Sequence, residues 1–540
     1  MAGLTVLATS SGVLAAEPVD VQANAPQVAG DPSSDTTARF PTNKQNEPTI
    51  AINPIDSQFL IAGANDEQEQ PPCGPGPVRG TVPASDCSFF RGVGTSGVYT
   101  SSDGGATWTN RRLLDGQASW RNAGVISDGD PVITYGPKPD GHGGFTFSDG
   151  ARAYYSSLAT VAGRKGFENI IVSYSDDNGV TWSVPVVGMS KSASAVFNDK
   201  NWISADRTPT SPYFGRVYLS WTQFRSATST GNGSEPVMVS VSADGGATFG
   251  APNQLSPAGN NGTGNGRQGS SSTVGPDGTA YVAFEQGPAQ VVAVSRNGGT
   301  SWSRPITIGP VTDLADPIPG ANFRTDSFPT IAADPRSGST TVYATWSTRT
   351  TDGGRIVVAS SPNRGTTWTA PVTVSGAEGY AFYQGLAVAP NGRVDVAYQA
   401  LVALDTTRFG TGNAQIDAYA VSKPDGGSWS APVKISTASS DPAASSQNNL
   451  QRQFWGDYST LVNDGSTAWF ISTDSRSGVG CPAVDAYQRY LVDNHLVIHD
   501  DDEAPATGKN APDPSVKPAP PVECASQFGN TNIYVSRFTP

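Results

Sequence analysis

Seven short stretches of the chain open on side chains that can do acid–base or ion-pair chemistry. They begin at Glu47, at Asp130, at Asp199 with Lys200, at Arg267 with Gln268, at Arg324 with Asp326, at Tyr383 with Gln384, and at Asp457 with Tyr458. Carboxylates and tyrosines hold, donate or accept protons, and a tyrosine beside a base becomes a nucleophile. Arginines clamp carboxylates through paired N–H donors. A ring of such groups around a concave mouth is a ligand site by default. The bland alternative is that they solvate a channel and satisfy one another.

Metal and cofactor chemistry find little support. Of the three histidines, His142, His495 and His499, the last two have the spacing of the histidine half of a zinc finger, but no Cys-x-x-Cys accompanies them. Leu496 follows His495 where a zinc-protease helix would carry Glu. No phosphate-binding or dinucleotide glycine loop stands between a strand and a helix. Neither a metal nor a cofactor is expected.

The elements that position these residues follow from a repeated eight-residue motif. It reads SSDGGATW from Ser101, SDDNGVTW from Ser175 and SADGGATF from Ser242. Looser copies start at Ser295, Ser361 and Ser422. The third position, Asp103, Asp177, Asp244, Asn297 or Asn363, accepts backbone N–H bonds inside a turn. The glycine at the fifth position permits positive φ. The closing aromatic buries a large surface and pins the hairpin to its neighbours. The motif is thus a folding device and not a catalytic one.

Around each copy the same strand syntax recurs, as in Pro329-Thr-Ile-Ala-Ala-Asp-Pro335 followed by Val342-Tyr-Ala-Thr-Trp346. Four strands per unit of roughly 45–75 residues predict an all-β fold, a single β-propeller of four-stranded blades. Six units carry the motif and a seventh lacks it, so seven blades are expected, with six as the alternative. The seventh unit runs out of chain after three strands, and Val19–Gln22 is a candidate for its missing outer strand. Such a swap would close the ring and remove an open sheet edge. An insertion from about Arg476 to Gly529 interrupts this unit. Its acidic run, Asp500 to Glu503, reads as a solvated loop, with a calcium site as the alternative.

Composition agrees. Gly 60 and Pro 42 in 540 residues, with charged residues at only 15%, suit many tight turns and sheets buried on both faces. A net charge of −13 leaves no basic footprint for nucleic acid. No stretch is long and apolar enough for a membrane span.

The motif set resembles the Asp-box (BNR) repeats of the sialidase superfamily of β-propellers, over roughly residues 40–540. That resemblance implies a secreted, sialidase-like glycoside hydrolase acting on extracellular glycans, of exo-α-sialidase type. Such an enzyme uses a Tyr nucleophile assisted by Glu, an Asp acid/base and three arginines for the substrate carboxylate; a Tyr nucleophile departs from the usual carboxylate pair. Gly456-Asp457-Tyr458-Ser459-Thr460-Leu461 looks like the segment that carries the nucleophile, which points to Tyr458. Asp86 stands fifteen residues before Ser101, where the family carries its acid/base. Arg267, Arg324 and Arg452 are the candidates for the clamp, with Gln268, Asp326, Tyr383 and Gln384 as further substrate-binding residues. The family's Asn-Glu-Pro opening appears as Asn46-Glu47-Pro48 in the first unit, and the corresponding place in the fourth reads Arg267-Gln268-Gly269. The assisting carboxylate is therefore Glu47, or else Asp457 beside the tyrosine. A non-catalytic glycan- or protein-binding propeller and a polysaccharide lyase using Tyr458 as base are the alternatives. Trp120, Trp202 and Trp455 are candidates for exposed platforms that stack on sugar rings, with packing in the core or between blades as the equal alternative.

Residues 1–16 resemble the end of a secretory signal, and residues 17–39 form a segment ahead of the propeller. Four cysteines allow three pairings, of which Cys73–Cys87 and Cys481–Cys524 would each staple one loop. A secreted monomer with a carbohydrate partner is the expectation.

Overall fold

The computed structural model describes residues 17–25, 44–69, 93–164, 168–189, 196–225, 233–257, 267–446, 450–496, 514–518, 523–525 and 527–540. The signal-like residues 1–16, residues 26–43, Asp86, Cys73, Cys87, His499 and the acidic run 500–503 lie outside them.

The chain forms seven four-stranded antiparallel sheets arranged as the blades of one propeller. Within each of the first six blades the strands pair in chain order, from the innermost to the outermost. Blade one is Gln45–Ile52, Leu60–Asp66, Ser96–Ser101 and Thr109–Leu113. The innermost strands of blades two to six are Val125–Pro139, Val196–Ala205, Arg267–Val274, Thr330–Ala333 and Tyr380–Val388. Blade seven contains Thr460–Asn463, Ala468–Asp474 and Asn532–Phe538, and Val19–Gln22 completes it from the other end of the chain. Val19 pairs with Arg537 and Gln22 with Tyr534, so the ring closes as the sequence suggests. Asn24 extends the seal: its amide donates to Gln45 Oε1 at 2.8 Å and to Asn532 Oδ1 at 2.9 Å, and its Oδ1 accepts from the Ile533 N–H at 2.9 Å.

The apolar core lies between blades. One cluster joins Ile50, Leu60 and Tyr99 of blade one to Trp469, Ile471 and Val535 of blade seven. Strands such as Leu60–Asp66 are buried along their whole length, because each sheet is covered by a neighbour on both faces. That is why the chain needs so few charged residues.

The recurring turns fasten one blade to the next. In the first copy Ser101 Oγ donates to Asp103 Oδ1 at 2.8 Å and accepts from the Gly105 N–H at 2.9 Å. Asp103 in turn accepts the Thr107 N–H at 2.9 Å and the Thr107 hydroxyl at 2.6 Å. The copies at Asp177, Asp244, Asn297 and Asn363 repeat the Ser-to-third-residue bond at 2.7–3.0 Å. Gly105 has φ 80°, and a Cβ there would sit 2.9 Å from Trp469 Nε1 of the preceding blade. Gly246 stands likewise against Tyr154, so the fifth position must be glycine for its dihedral and for the close approach. The sixth copy departs: Pro424 occupies the third place, and Asp425 leaves the turn to pair with Arg336.

The insertion in blade seven holds a helix the sequence pattern did not foretell, Pro482–Asp493. Val484, Tyr487, Gln488 and Leu491 form its buried stripe, packed with Leu450 and Phe528. Cys481, immediately before it, is disulfide-bonded to Cys524 as expected. No helix among the described residues is long and apolar enough to cross a membrane.

Asn24→Ala is expected to lower the unfolding free energy by about 1–3 kcal/mol, because it strands buried partners on two blades. Urea denaturation checks this, and an unchanged midpoint would contradict the sealing role.

Candidate functional site

The innermost strands share an irregularity that the sequence pattern did not disclose. In blades one, two, three, four and six the register slips by a bulge near the start of the strand. The first bulged residue is left-handed each time: Glu47 at φ 52°, Asp130 at 50°, Lys200 at 53°, Gly269 at 67° and Tyr383 at 46°. Gly456, at φ 83°, occupies the equivalent place before blade seven. A non-glycine residue in this region costs on the order of 1 kcal/mol, and such strain gathers at functional sites. Pro48 and Pro131 fit here because a bulge asks no ladder N–H of them.

These bulges gather charge at the axis. Arg324 makes a two-pronged contact with Asp457, Nε to Oδ1 at 2.8 Å and Nη2 to Oδ2 at 2.7 Å. Lys200 donates to the same carboxylate. One acid from blade seven therefore binds the cation of blade three and the cation entering blade five. Arg324 also lies 3.7 Å from Glu47 Oε1. Asn65, on the second strand of blade one, sets the neighbouring geometry. Its Nδ2 donates to Glu47 Oε2 at 2.9 Å, and its Oδ1 accepts the Asp130 N–H at 2.9 Å.

Tyr458 is half-buried, its hydroxyl 3.4 Å from the Pro131 carbonyl oxygen. Burial, followed by the charges of Asp130 and Glu47, holds its hydroxyl well above the usual tyrosine range. Burial and the adjacent Glu47 push Asp130 up to about 7, against the opposing pull of Lys200. Burial likewise raises Asp199 to about 7, with Lys200 opposing it and Asp130 adding to it. The carboxylates that act on Tyr458 are thus Asp130, Glu47 and Asp199, whereas its sequence neighbour Asp457 is committed to two cations.

A cavity opens beside this cluster, with about 500 Å³ of empty space including its solvent-filled mouth. Lys200, Asp326, Asp457 and Tyr458 give it polar walls, and Trp202, Phe328 and Tyr383 give it aromatic ones.

The expected residues divide accordingly. Tyr458, Asp457, Asp326, Tyr383 and Gln384 line the cavity, and Glu47 and Arg324 stand in the cluster behind it. Gln268 faces Glu285 across blade four and is not among the lining residues. Arg267 is buried, with its N–H held by Glu235 at 3.2 Å, and Arg452 is buried ahead of blade seven; neither lines the cavity. Of the two readings left open for Trp120 and Trp455, core packing holds. Trp120 packs in the cluster between blades one and two, and Trp455 lies against Phe323 with its Nε1 3.0 Å from Gln399 Oε1. Trp202 does reach the cavity. Asn65, Asn201, Phe328 and Ser459 were not legible as site residues, since nothing in their local sequence sets them apart.

No protein-family model matches the chain, and no curated protein does. Solved structures that resemble it include the NanB sialidase of Streptococcus pneumoniae, 11% identical, with 77% of this chain and 80% of that one covered at a TM-score of 0.39. The GH93 α-L-arabinofuranosidase of Fusarium graminearum is 11% identical, with coverages of 71% and 92% and a TM-score of 0.41. A polysaccharide lyase, an ulvan lyase, is 10% identical, with coverages of 60% and 74% and a TM-score of 0.36. The seven-bladed ring rests on the chain's own hydrogen-bonded sheets.

Two outcomes follow from the electrostatics. Asp457→Asn leaves Lys200 and Arg324 without their shared counter-ion and is expected to cost about 3–5 kcal/mol of stability, read by denaturant unfolding. Asp130 and Asp199 titrate near 7 when folded and near 4 when unfolded. The folded state then binds the extra protons, so their contribution is full below about pH 4 and is lost as pH rises through about 7. Unfolding free energies measured from about pH 5 to 8 should fall with pH, and Asp130→Asn should flatten that slope; an equal slope in the variant would refute the assignment.

Proposed function

We propose that the chain is a glycan-processing hydrolase whose chemistry takes place in the axial cavity, with Tyr458 as nucleophile. The observation that carries this reading is the placement of Tyr458 on the cavity wall with Glu47 and Asp130 acting on its hydroxyl. The hydroxyl is protonated at neutral pH, so attack on an anomeric carbon requires a base. Glu47 is the proposed base, held by Asn65 and within reach of Arg324's charge. Asp457 is a positioning residue in this scheme, since it holds Lys200 and Arg324 in place. The acid/base role on the leaving oxygen is proposed for Asp86, which lies outside the described residues. Aromatic walls from Trp202, Phe328 and Tyr383 support a sugar ring as the occupant. An extracytoplasmic location and a monomeric state are part of the proposal, and the Cys481–Cys524 disulfide supports an oxidising compartment.

The narrower exo-α-sialidase reading needs three arginines on one carboxylate, and of the three candidates Arg324 stands in the axial cluster. A second reading, a non-catalytic glycan- or protein-binding propeller, is favoured by one observation: Asp457 already occupies both cations that would otherwise meet a ligand.

A panel of fluorogenic glycosides, a sialoside included, separates these readings. The hydrolase proposal expects multiple turnover that falls at least about a thousandfold in Tyr458→Phe while the unfolding midpoint stays within error. Release of product from the sialoside alone would select the narrower reading. Ultraviolet absorbance from an unsaturated product would point to a lyase. Binding without turnover across the panel would leave the non-catalytic propeller.

A further inference from the structure

Arg324 and Asp457, the two-pronged pair at the axis, both stand outside the blade ladders. Elsewhere the side chain at the axis belongs to a hydrogen-bonded innermost strand, as Glu47 does in Gln45–Ile52, Lys200 in Val196–Ala205 and Tyr383 in Tyr380–Val388. Blades five and seven differ. Their innermost strands, Thr330–Ala333 and Thr460–Asn463, are short and begin only after Arg324 and Asp457. No ladder therefore fixes the backbone of either residue. Yet a paired contact with hydrogen bonds of 2.8 and 2.7 Å needs that backbone placed closely.

The bonds that hold them end on the blade-seven insertion. The segments leading to Arg324 and Asp457 are first tied to each other. The Gln453 N–H donates to the Asn322 carbonyl at 2.9 Å, and the Asn322 N–H donates to Gln453 Oε1 at 2.9 Å. Phe323 lies against Trp455, and the Arg324 guanidinium is 5.1 Å from the centre of the Phe454 ring. The Tyr383 hydroxyl of blade six adds a bond of 2.9 Å to the Arg324 carbonyl. Gln488, on the helix Pro482–Asp493, then grips both segments. Its Oε1 accepts from Asn322 Nδ2 at 3.2 Å, and its Nε2 donates to Ser446 Oγ at 3.0 Å and to the Leu450 carbonyl at 3.3 Å. Gln488 is fully buried on the same stripe as Val484, Tyr487 and Leu491, where an apolar side chain would avoid the desolvation of an amide. The three bonds offset that cost. The helix is anchored in turn by the Cys481–Cys524 disulfide and by Asp485, which accepts the Thr411 N–H and hydroxyl at 2.7 Å.

We infer that Gln488 is a positioning residue of the axial site: through Asn322 on one side and Ser446 and Leu450 on the other, it sets Arg324 against Asp457 in place of the ladder that fixes the corresponding residues of other blades. The insertion, which interrupts blade seven in the sequence, is thus a brace for the centre of the ring. Its effect reaches the cavity, because Asp457 and Tyr458 are wall residues carried by the braced segment, and Lys200, also on the wall, is bonded to Asp457. The role is the same whether the cavity turns a glycan over or only binds one.

The test compares the full chain with Gln488→Met, which keeps the length of the side chain and removes its three hydrogen bonds, and with Asp485→Ala, which loosens the same helix at Thr411 instead. Hydrogen–deuterium exchange read by mass spectrometry follows peptides covering residues 318–325 and 450–458. Gln488→Met should speed exchange in both by at least about tenfold, whereas Asp485→Ala should leave both at the parental rate. Asn322→Ala cuts the same link from its other end, leaves the helix intact, and should also speed exchange across 318–325. Unfolding midpoints give a second readout. Gln488 and Asp457 share no bonded partner, so a merely structural role predicts that the shifts of Gln488→Met and Asp457→Asn add. Positioning predicts a combined shift smaller than their sum, since the first change already loosens the contact that the second removes. Parental exchange in Gln488→Met and Asn322→Ala, equal acceleration in Asp485→Ala, or additive midpoints would each overturn the inference. The glycan reading is decided separately by the glycoside panel.

Discussion

The axis of this propeller depends on Asp457. A ring of blades brings the starts of its innermost strands together, and here those starts carry ionisable groups. Charges so close and so poorly hydrated persist only when paired. Asp457 provides the pairing, with the Arg324 guanidinium across two hydrogen bonds and the Lys200 ammonium on the same carboxylate. Blades three, five and seven are thereby linked across the channel. The consequences spread outward: burial, with repulsion from neighbouring acids, holds Asp130 and Asp199 above the ordinary carboxylate range, while Lys200 pulls against it.

The left-handed bulges explain how those groups came to face one another. A regular strand alternates its side chains between two faces, both covered by neighbouring blades. An extra residue at the strand start breaks the alternation and re-aims a side chain. Repeated at Glu47, Asp130, Lys200 and Tyr383, the device turns residues otherwise bound for the inter-blade core toward the axis. The local strain is borne by a rigid surround, the blade-to-blade turns built on Asp103 and its counterparts and the seal made by Val19–Gln22. The scaffold and the site are in this sense one design, with stiffness at the rim allowing strain at the centre.

Legibility in the sequence followed the range of the interaction. The turn at Ser101 to Trp108 was readable because its donors and acceptors lie within a few residues of each other, so pattern and geometry coincide. Blade number and the role of Val19–Gln22 followed from counting strands. The polar starts of the inner strands were visible too, since each stands against an apolar run. Pairings across the ring were not. Asp457 looked like a partner for Tyr458 next to it, but the contact it makes is with Lys200, over two hundred and fifty residues away. Trp120 and Trp455 read equally as platforms or as core residues, and packing buried both. Asn65 and Ser459 gave no signal, because an asparagine or serine in a strand declares no partner.

The sequence by itself determined the all-β class, the repeated turns, the closure of the ring and the set of ionisable residues at the strand starts. These depend on local hydrogen bonding and on the period of apolar residues, which neighbouring positions carry. Tertiary structure alone decided which acid meets which cation, which arginine reaches the axis, and which side chains line the cavity. Those outcomes depend on Coulomb interactions and desolvation between blades, and the distances that govern both exist only once the ring has closed.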